Sequence, residues 1–292
     1  MKIGMVGLGK MGGNMVERLR RDGHDVVGFD AFSDASEVES LGALVEALGD
    51  SPRVVWSMVP SGDPTEETVT ALLDLLGEGD LIIEGGNSNW RDSRRRSDAA
   101  AARKIGYVDA GVSGGVWGLD NGYALMVGGS DEHVALAQPI FDTLSPDEGG
   151  FAHAGEAGAG HFTKMVHNGV EYAIMQAYAE GYELLSKVDI ELDVLGGMKS
   201  WQHGSVVRSW LLDLLVKALD ERPGLEGIAP YVSDSGEGRW TVEEAVTYGV
   251  PANTIAAALF ARFTSQEDDS PAMKALAAMR NQFGGHAIKE GP

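Results

Sequence analysis

A chain of 292 residues with 43% hydrophobic and 23% charged side chains has the composition of a soluble globular protein, long enough for one large domain or two ordinary ones. Its 44 acidic against 23 basic residues give a net charge of −21, which argues against nucleic acid and anionic membrane as partners and requires any anionic ligand to be met by locally gathered cations. The absence of cysteine excludes disulfides, thiolate nucleophiles and cysteine-ligated metals, and permits a reducing cytoplasm.

The N-terminus "MKIGMVGLG" enters a strand at once, without the cationic, apolar and cleavage-site succession of a signal peptide. No apolar run approaches the ~20 residues needed to span a bilayer, so a cytoplasmic protein is expected. "KIGMVG" reads as a buried strand, and "LGKMGGNMVERLRRDG" opens a helix that Gly23 closes. Gly7, Gly9 and Gly12 supply G-x-G-x-x-G at this turn. The first glycine permits the turn, the second lets a pyrophosphate approach the backbone, and the third lets helix and strand pack closely. The second strand, "DVVGFD", ends in Asp30, 18 residues beyond Gly12, where a carboxylate can bind adenine-ribose hydroxyls. Glycine-rich turns are common, but one with this strand, helix and acid around it marks a dinucleotide site.

"RVVWSMVP", "DLIIEGGN" and "GYVDAGV" continue as strands, with helices at about 64–76 and 89–104 between them. Alternating strands and helices predict a mostly parallel, doubly wound sheet, whose ligands bind beyond the carboxyl ends of the strands. Two of those ends, "EGGNSN" and "GVSGGVWG", place Asn87, Ser88 and Ser113 among glycines, as a substrate pocket would. "YALMVGG" and "GFAHAG" close the sheet, giving an α/β domain over 1–156 and an all-helical domain over 157–292. The second domain starts with a long helix from about 158 to 188. It continues with "DVLGGMKSWQHGSVVRSWLLDLLVKAL", "TVEEAVTYGV" and "ANTIAAALFARF", and "SQEDDSPAMKALAA" reads as one last helix before the tail.

On the long helix Lys164, His167, Asn168 and Glu171 fall at i, i+3, i+4 and i+7, on one face. A merely wet face could look like this; a potential base, a potential acid and two hydrogen-bonding groups together raise a catalytic alternative. Trp201, Trp210 and Trp240 read as packing, His133, His153 and His203 have no metal-ligand spacing, and "RDSRRR" reads as a solvated helix face.

"GLGKMG", "GGNS", "GVSGG", "KMVHNGVEY", "GEGRWT", "YGVP", "FAR" and "RNQFGGH", spread over nearly the whole chain, resemble the decarboxylating 6-phosphogluconate dehydrogenases in their short form, within the wider β-hydroxyacid dehydrogenases. The resemblance implies oxidation and decarboxylation of 6-phosphogluconate to ribulose 5-phosphate by a homodimer or higher oligomer. It implies Lys164 as the base that takes the hydroxyl proton and Glu171 as the acid that protonates the carbon left by CO2. Asn87, Ser113, Gly114, Gly115, His167 and Asn168 would hold the sugar acid, and Tyr172, Arg262, Arg280 and His286 its phosphate. Gly7, Leu8, Gly9, Lys10, Met11, Gly12, Asp30, Val59, Pro60 and Asn87 would face the cofactor.

Longer family members carry a lysine and a threonine where this chain has Ser235 and Glu237, so either that loop does something else or Arg239 compensates at the phosphate. "DAFSDA" offers no basic residue to an NADP phosphate, which makes NAD the expected cofactor over NADP; some short members use a deazaflavin coenzyme. A non-decarboxylating β-hydroxyacid dehydrogenase and a non-catalytic nucleotide sensor are the competing readings. Glu171 and the Arg280/His286 tail oppose the first, and an intact Lys164 and Glu171 the second.

Overall fold

A computed structural model describes residues 1–289, in two compact units that divide between His167 and Asn168. In the first unit each apolar run of the sequence becomes a strand and each amphipathic run a helix. In chain order these are β1 (Lys2–Val6), α1 (Lys10–Arg21), β2 (Asp25–Phe29), α2 (Leu41–Leu48), β3 (Val54–Ser57), α3 (Asp63–Leu75) and β4 (Leu81–Glu84). There follow α4 (Trp90–Ala101), β5 (Gly106–Ser113), a short α5 (Gly118–Asn121), β6 (Ala124–Gly128), α6 (Asp131–Leu144) and β7 (Phe151–Gly155). The strands form one sheet of order β2-β1-β3-β4-β5-β6-β7, parallel throughout except where β5 meets β6 antiparallel.

Side chains alternate across the central strands, so each strand feeds two cores. Ile3, Met5, Val54, Trp56, Leu81 and Ile83 pack on one face with Met15 and Leu19 of α1 and Ile140 and Phe141 of α6. Val6, Val55 and Ile82 pack on the other with Leu44 of α2, Leu72 of α3 and Ala100 of α4. Burial on both faces explains why these strands are continuously apolar rather than alternating. The result is the expected Rossmann-type sheet between two helical layers, followed by helices.

The helices that follow are α7 (Ala159–Lys187), which crosses the division, then α8 (Val194–Trp201), α9 (Trp210–Glu221), α10 (Glu237–Thr247), α11 (Asn253–Ser265) and α12 (Pro271–Gly284). "DVLGGMKSWQHGSVVRSWLLDLLVKAL" is two helices, broken where Gly204 turns to φ +74° and Ser209 caps α9 by accepting from Leu212 N. α10 starts four residues before Thr241, at Glu237. The last helix omits "SQEDD" and runs on through Arg280, because Ser270 caps it and Pro271 occupies its first turn. The second unit's largest core joins Met198, Leu212, Val216 and Leu219 to Tyr178, Tyr182 and Leu185 of α7. Among the described residues no helix is long and apolar enough to cross a membrane.

Candidate active site

The turn between β1 and α1 is held by backbone contacts that only glycine allows. A Cβ on Gly12 would lie 2.0 Å from Gly7 O, and one on Gly7, at φ +91°, would lie 2.8 Å from Met58 O. Gly9 differs: a Cβ there would meet nothing within 4 Å, so its missing side chain leaves open space over the start of α1. No side chain caps α1 and no acid occupies its first turn, which leaves its N-terminal dipole available to an anion. Asp30 is tied into the same turn, its Oδ2 accepting from Leu8 N at 2.7 Å and its Oδ1 from Phe32 N at 2.9 Å.

A cavity of about 1050 Å³ opens here, walled by Gly7, Gly9, Met11, Asp30, Val59, Pro60 and Asn87 among others. Glu39 and Glu67 also line it, and no lysine or arginine does. Leu8, Lys10 and Gly12 are not among its walls: Gly12 is buried in the turn, Leu8 lies against Gly28, and Lys10 is exposed at the start of α1. These features fit a dinucleotide whose pyrophosphate rests on Gly9 and α1 and whose adenine ribose carries free hydroxyls.

Asn87 stands in the loop after β4 with φ +60°, an uncommon conformation for a residue with a side chain. Its Oδ1 accepts from Lys164 Nζ at 3.4 Å, and Lys164 is only 8% exposed. α7 passes so close over β5 that a Cβ on Gly111 would lie 2.4 Å from Lys164 Cβ. Ser113 ends β5 half-buried, and Gly114 (φ +139°) and Gly115 (φ +56°) turn the chain after it. Along α7, His167 is exposed, and Asn168 and Glu171 are half-buried.

Beneath this pair lies a polar cluster that the motif reading misses: Glu84, Arg96, Asp109 and His161, all 3% exposed or less. Its signal in the sequence is a carboxylate inside each of two apolar strand runs, "LIIE" and "YVDAGV". Burial pushes the Asp109 carboxyl above the usual range, against the pull of His161 and two backbone amides.

In the second unit Tyr172, on α7, is buried against Ala258 and Leu259 of α11. The Arg262 guanidinium lies 3.5 Å over its ring and donates to Ser233 O at 2.9 Å. The Tyr172 hydroxyl accepts from Ser235 N at 3.0 Å and meets Ser235 Oγ at 3.2 Å. The loop before α10 thus presents Ser235 beside two expected phosphate ligands. Of the two alternatives for this loop, compensation by Arg239 is the less supported: Arg239 is committed to Asp234, at 2.9 Å through two nitrogens, and to the Phe263 ring. That pairing holds the Asp234 carboxyl below its usual range. Arg280 and His286, at the end of α12 and beyond it, are exposed, and among the described residues no hydrogen bond or ring contact joins them to Tyr172 or Arg262.

Two family models together span the chain: the NAD binding domain of 6-phosphogluconate dehydrogenase over residues 2–155, and the 6-phosphogluconate dehydrogenase C-terminal domain over 160–290. An NAD(+)-dependent, decarboxylating 6-phosphogluconate dehydrogenase of Haloferax volcanii is 40% identical, covering 99% of this chain and 98% of that one. A relative of the same description from Bacillus subtilis is 34% identical over 90% of this chain and 61% of that longer one. Among solved structures, the Plasmodium falciparum 6-phosphogluconate dehydrogenase superposes with a TM-score of 0.80 at 26% identity, covering all of this chain and 67% of that one.

Proposed function

The chain belongs to the 6-phosphogluconate dehydrogenase family, and from that premise we propose that it oxidises and decarboxylates 6-phosphogluconate to ribulose 5-phosphate and CO2, with NAD as the electron acceptor. The observation that carries the site assignment is the buried Lys164 amine, 3.4 Å from an asparagine that lines the dinucleotide cavity. Gly9, the start of α1 and Asp30 would hold NAD, which would supply the acceptor for the hydride leaving carbon 3 of the sugar acid. Lys164 takes the proton of the carbon 3 hydroxyl, which requires an unprotonated amine at the start of the cycle. The ketone so formed is β to the carboxylate, so the bond to CO2 breaks with its electron pair drawn into an enediolate. Glu171, two helical turns along α7, gives a proton to the carbon that lost CO2, which completes ribulose 5-phosphate.

Asn87, Ser113, His167 and Asn168 would hold the hydroxyls and carboxylate, and Gly114 and Gly115 would admit the sugar chain. Tyr172, Arg262 and Ser235 supply one side of a phosphate site, with Arg280 and His286 as further ligands; the planar fork of arginine suits phosphate oxygens. The competing sensor and non-decarboxylating readings predict no CO2. Purified protein should therefore be assayed with 6-phosphogluconate and NAD, NADP or a deazaflavin coenzyme, following reduced coenzyme and CO2 together. Equal amounts of both with NAD are expected; reduced coenzyme without CO2 would leave a non-decarboxylating dehydrogenase, and no turnover with any coenzyme a sensor.

The same family premise supports a cytoplasmic enzyme, and α12 supports a homodimer. None of the 14 residues of α12 is buried, which suits a helix completed by a second copy of the chain.

A further inference from the structure

The position of Lys164 depends on buried polar side chains that take no part in the proton transfers. Asp109, fully buried in β5, accepts from Gly158 N at 2.6 Å through one carboxylate oxygen and from His161 N at 2.7 Å through the other. It acts as an N-cap reaching up from the sheet, since the first turn of α7 has no acid of its own. His161 follows one turn before Lys164. Its Nδ1 lies 2.7 Å from Ser93 Oγ of α4, 3.7 Å from Glu84 Oε2 and 3.9 Å from Asp109 Oδ2. Among the described residues its buried Nε2 has no hydrogen-bond partner.

Glu84 holds the other half of the pair. Its Oε1 accepts from Gly86 N at 2.7 Å, and its Oε2 accepts from the Tyr107 hydroxyl at 3.3 Å and from Arg96 at 3.4 Å. Arg96 donates in turn to Ser88 Oγ at 3.1 Å. Gly86 and Ser88 flank Asn87, whose positive φ persists only where its surroundings impose it. The helix that carries Lys164 and the loop that carries Asn87 are therefore fastened to one cluster. Apolar side chains of similar volume would be no less stabilising there than several buried charges. A role other than stability is thus indicated.

We propose that Asp109, His161, Glu84 and Arg96 are positioning residues that hold Lys164 against Asn87 in the reactive arrangement, a claim resting on the reading of Lys164 as the base. Asp109→Asn leaves one amide oxygen as acceptor and turns an NH2 toward a backbone donor; Glu84→Gln keeps the shape and replaces an acceptor oxygen with an NH2. In each, kcat with 6-phosphogluconate should fall about 10–100-fold, the scale of a misplacement near 1 Å, while NAD binds within about twofold of wild type. The double variant should lose less than the product of the two, because both act on one contact. Amide exchange at Gly158 and His161 should accelerate in Asp109→Asn and stay unchanged in Glu84→Gln. If Asp109→Asn does not fold, Glu84→Gln and Ser93→Ala carry the kinetic comparison. Folded variants with wild-type kcat, or with NAD affinity lost in step with kcat, would overturn the proposal. A wild-type protein inert toward 6-phosphogluconate would instead sink the reading of the base, and the exchange pattern would still judge the anchoring of α7.

Discussion

At the scale of single residues, the two proton roles separate by which half of the reaction each variant spares. Lys164→Met removes the proposed base while Asn87, Ser113 and the proposed phosphate ligands remain. Substrate should still bind, and hydride transfer, read as reduced cofactor in a single turnover, should be lost. Glu171→Gln keeps the proposed base and removes the proposed acid, so its deficit, about 10²–10⁴-fold, should fall on CO2 release and product protonation. Turnover by the lysine variant within tenfold of wild type would remove Lys164 from that role. The cofactor preference is proposed to rest on Asp30. Its carboxylate, fixed by the Leu8 amide, stands with Glu39 and Glu67 on a cavity without a cation, where a 2′-phosphate would meet like charge. kcat/KM should favour NAD over NADP, and Asp30→Ala should narrow that ratio mainly by weakening NAD. A higher kcat/KM with NADP for the wild type would refute this. Asp30 is legible in the sequence because its distance from the glycines is a local regularity. The Glu84–Asp109–His161 cluster is not, because its partners come together across as many as 77 residues of chain.

Elements carry the next set of consequences. α7 rests directly on the sheet: a Cβ on Gly160 would lie 2.5 Å from both Asp109 O and Met126 O, backbone atoms that cannot swing aside. Gly160→Ala should lower stability by about 1–3 kcal/mol, the usual cost of overpacking, and reduce kcat as Lys164 shifts. Gly197→Ala, inside α8 with nothing within 4 Å of its added methyl, should do the opposite and stabilise by about 0.5–1 kcal/mol. Thermal melts of the two variants decide the pair; equal signs would contradict it. Between α3 and α4, Glu66 is held down to about 2, first by its hydrogen bonds to Arg95 and then by Arg96. A carboxylate depressed in the folded state adds stability that is present above its unfolded value near 4.5 and is lost as pH falls through 2. Glu66→Gln should therefore flatten the acid limb of stability between those limits, measured by denaturant melts. The effect is softened by solvent because the side chain is 40% exposed. The strands and the long helix are legible because their apolar runs end at glycine or polar turns. α6 is not, since Pro139 within it looks like a breaker, and α2 has only eight residues in which to display a period.

At the scale of the whole molecule, a surface of net charge −21 and a phosphorylated substrate are at odds unless cations are concentrated at one place. The second unit offers Arg262 over Tyr172, and Arg239 is already neutralised by Asp234. The remaining candidates are Arg280, on a helix that has no core of its own, and His286, two residues beyond the end of that helix. Met273, Leu276, Met279 and Phe283 line one side of α12 at 48–81% exposure. An apolar stripe and an anion ligand on one uncovered helix, with a second ligand just past its end, make sense together if α12 docks on a second copy, burying the stripe and delivering the ligands there. In a two-fold arrangement each chain would then contribute Lys164 to one site and Arg280 to the other. Chains carrying Arg280→Ala and Lys164→Met, each inactive alone, should regain activity on mixing, because a heterodimer contains one site with both residues intact. About a quarter of wild-type activity is the most that random pairing allows, since half the dimers are mixed and half their sites are whole. A mixture that stays inactive after subunit exchange has been verified by mass would mean that α12 serves its own chain.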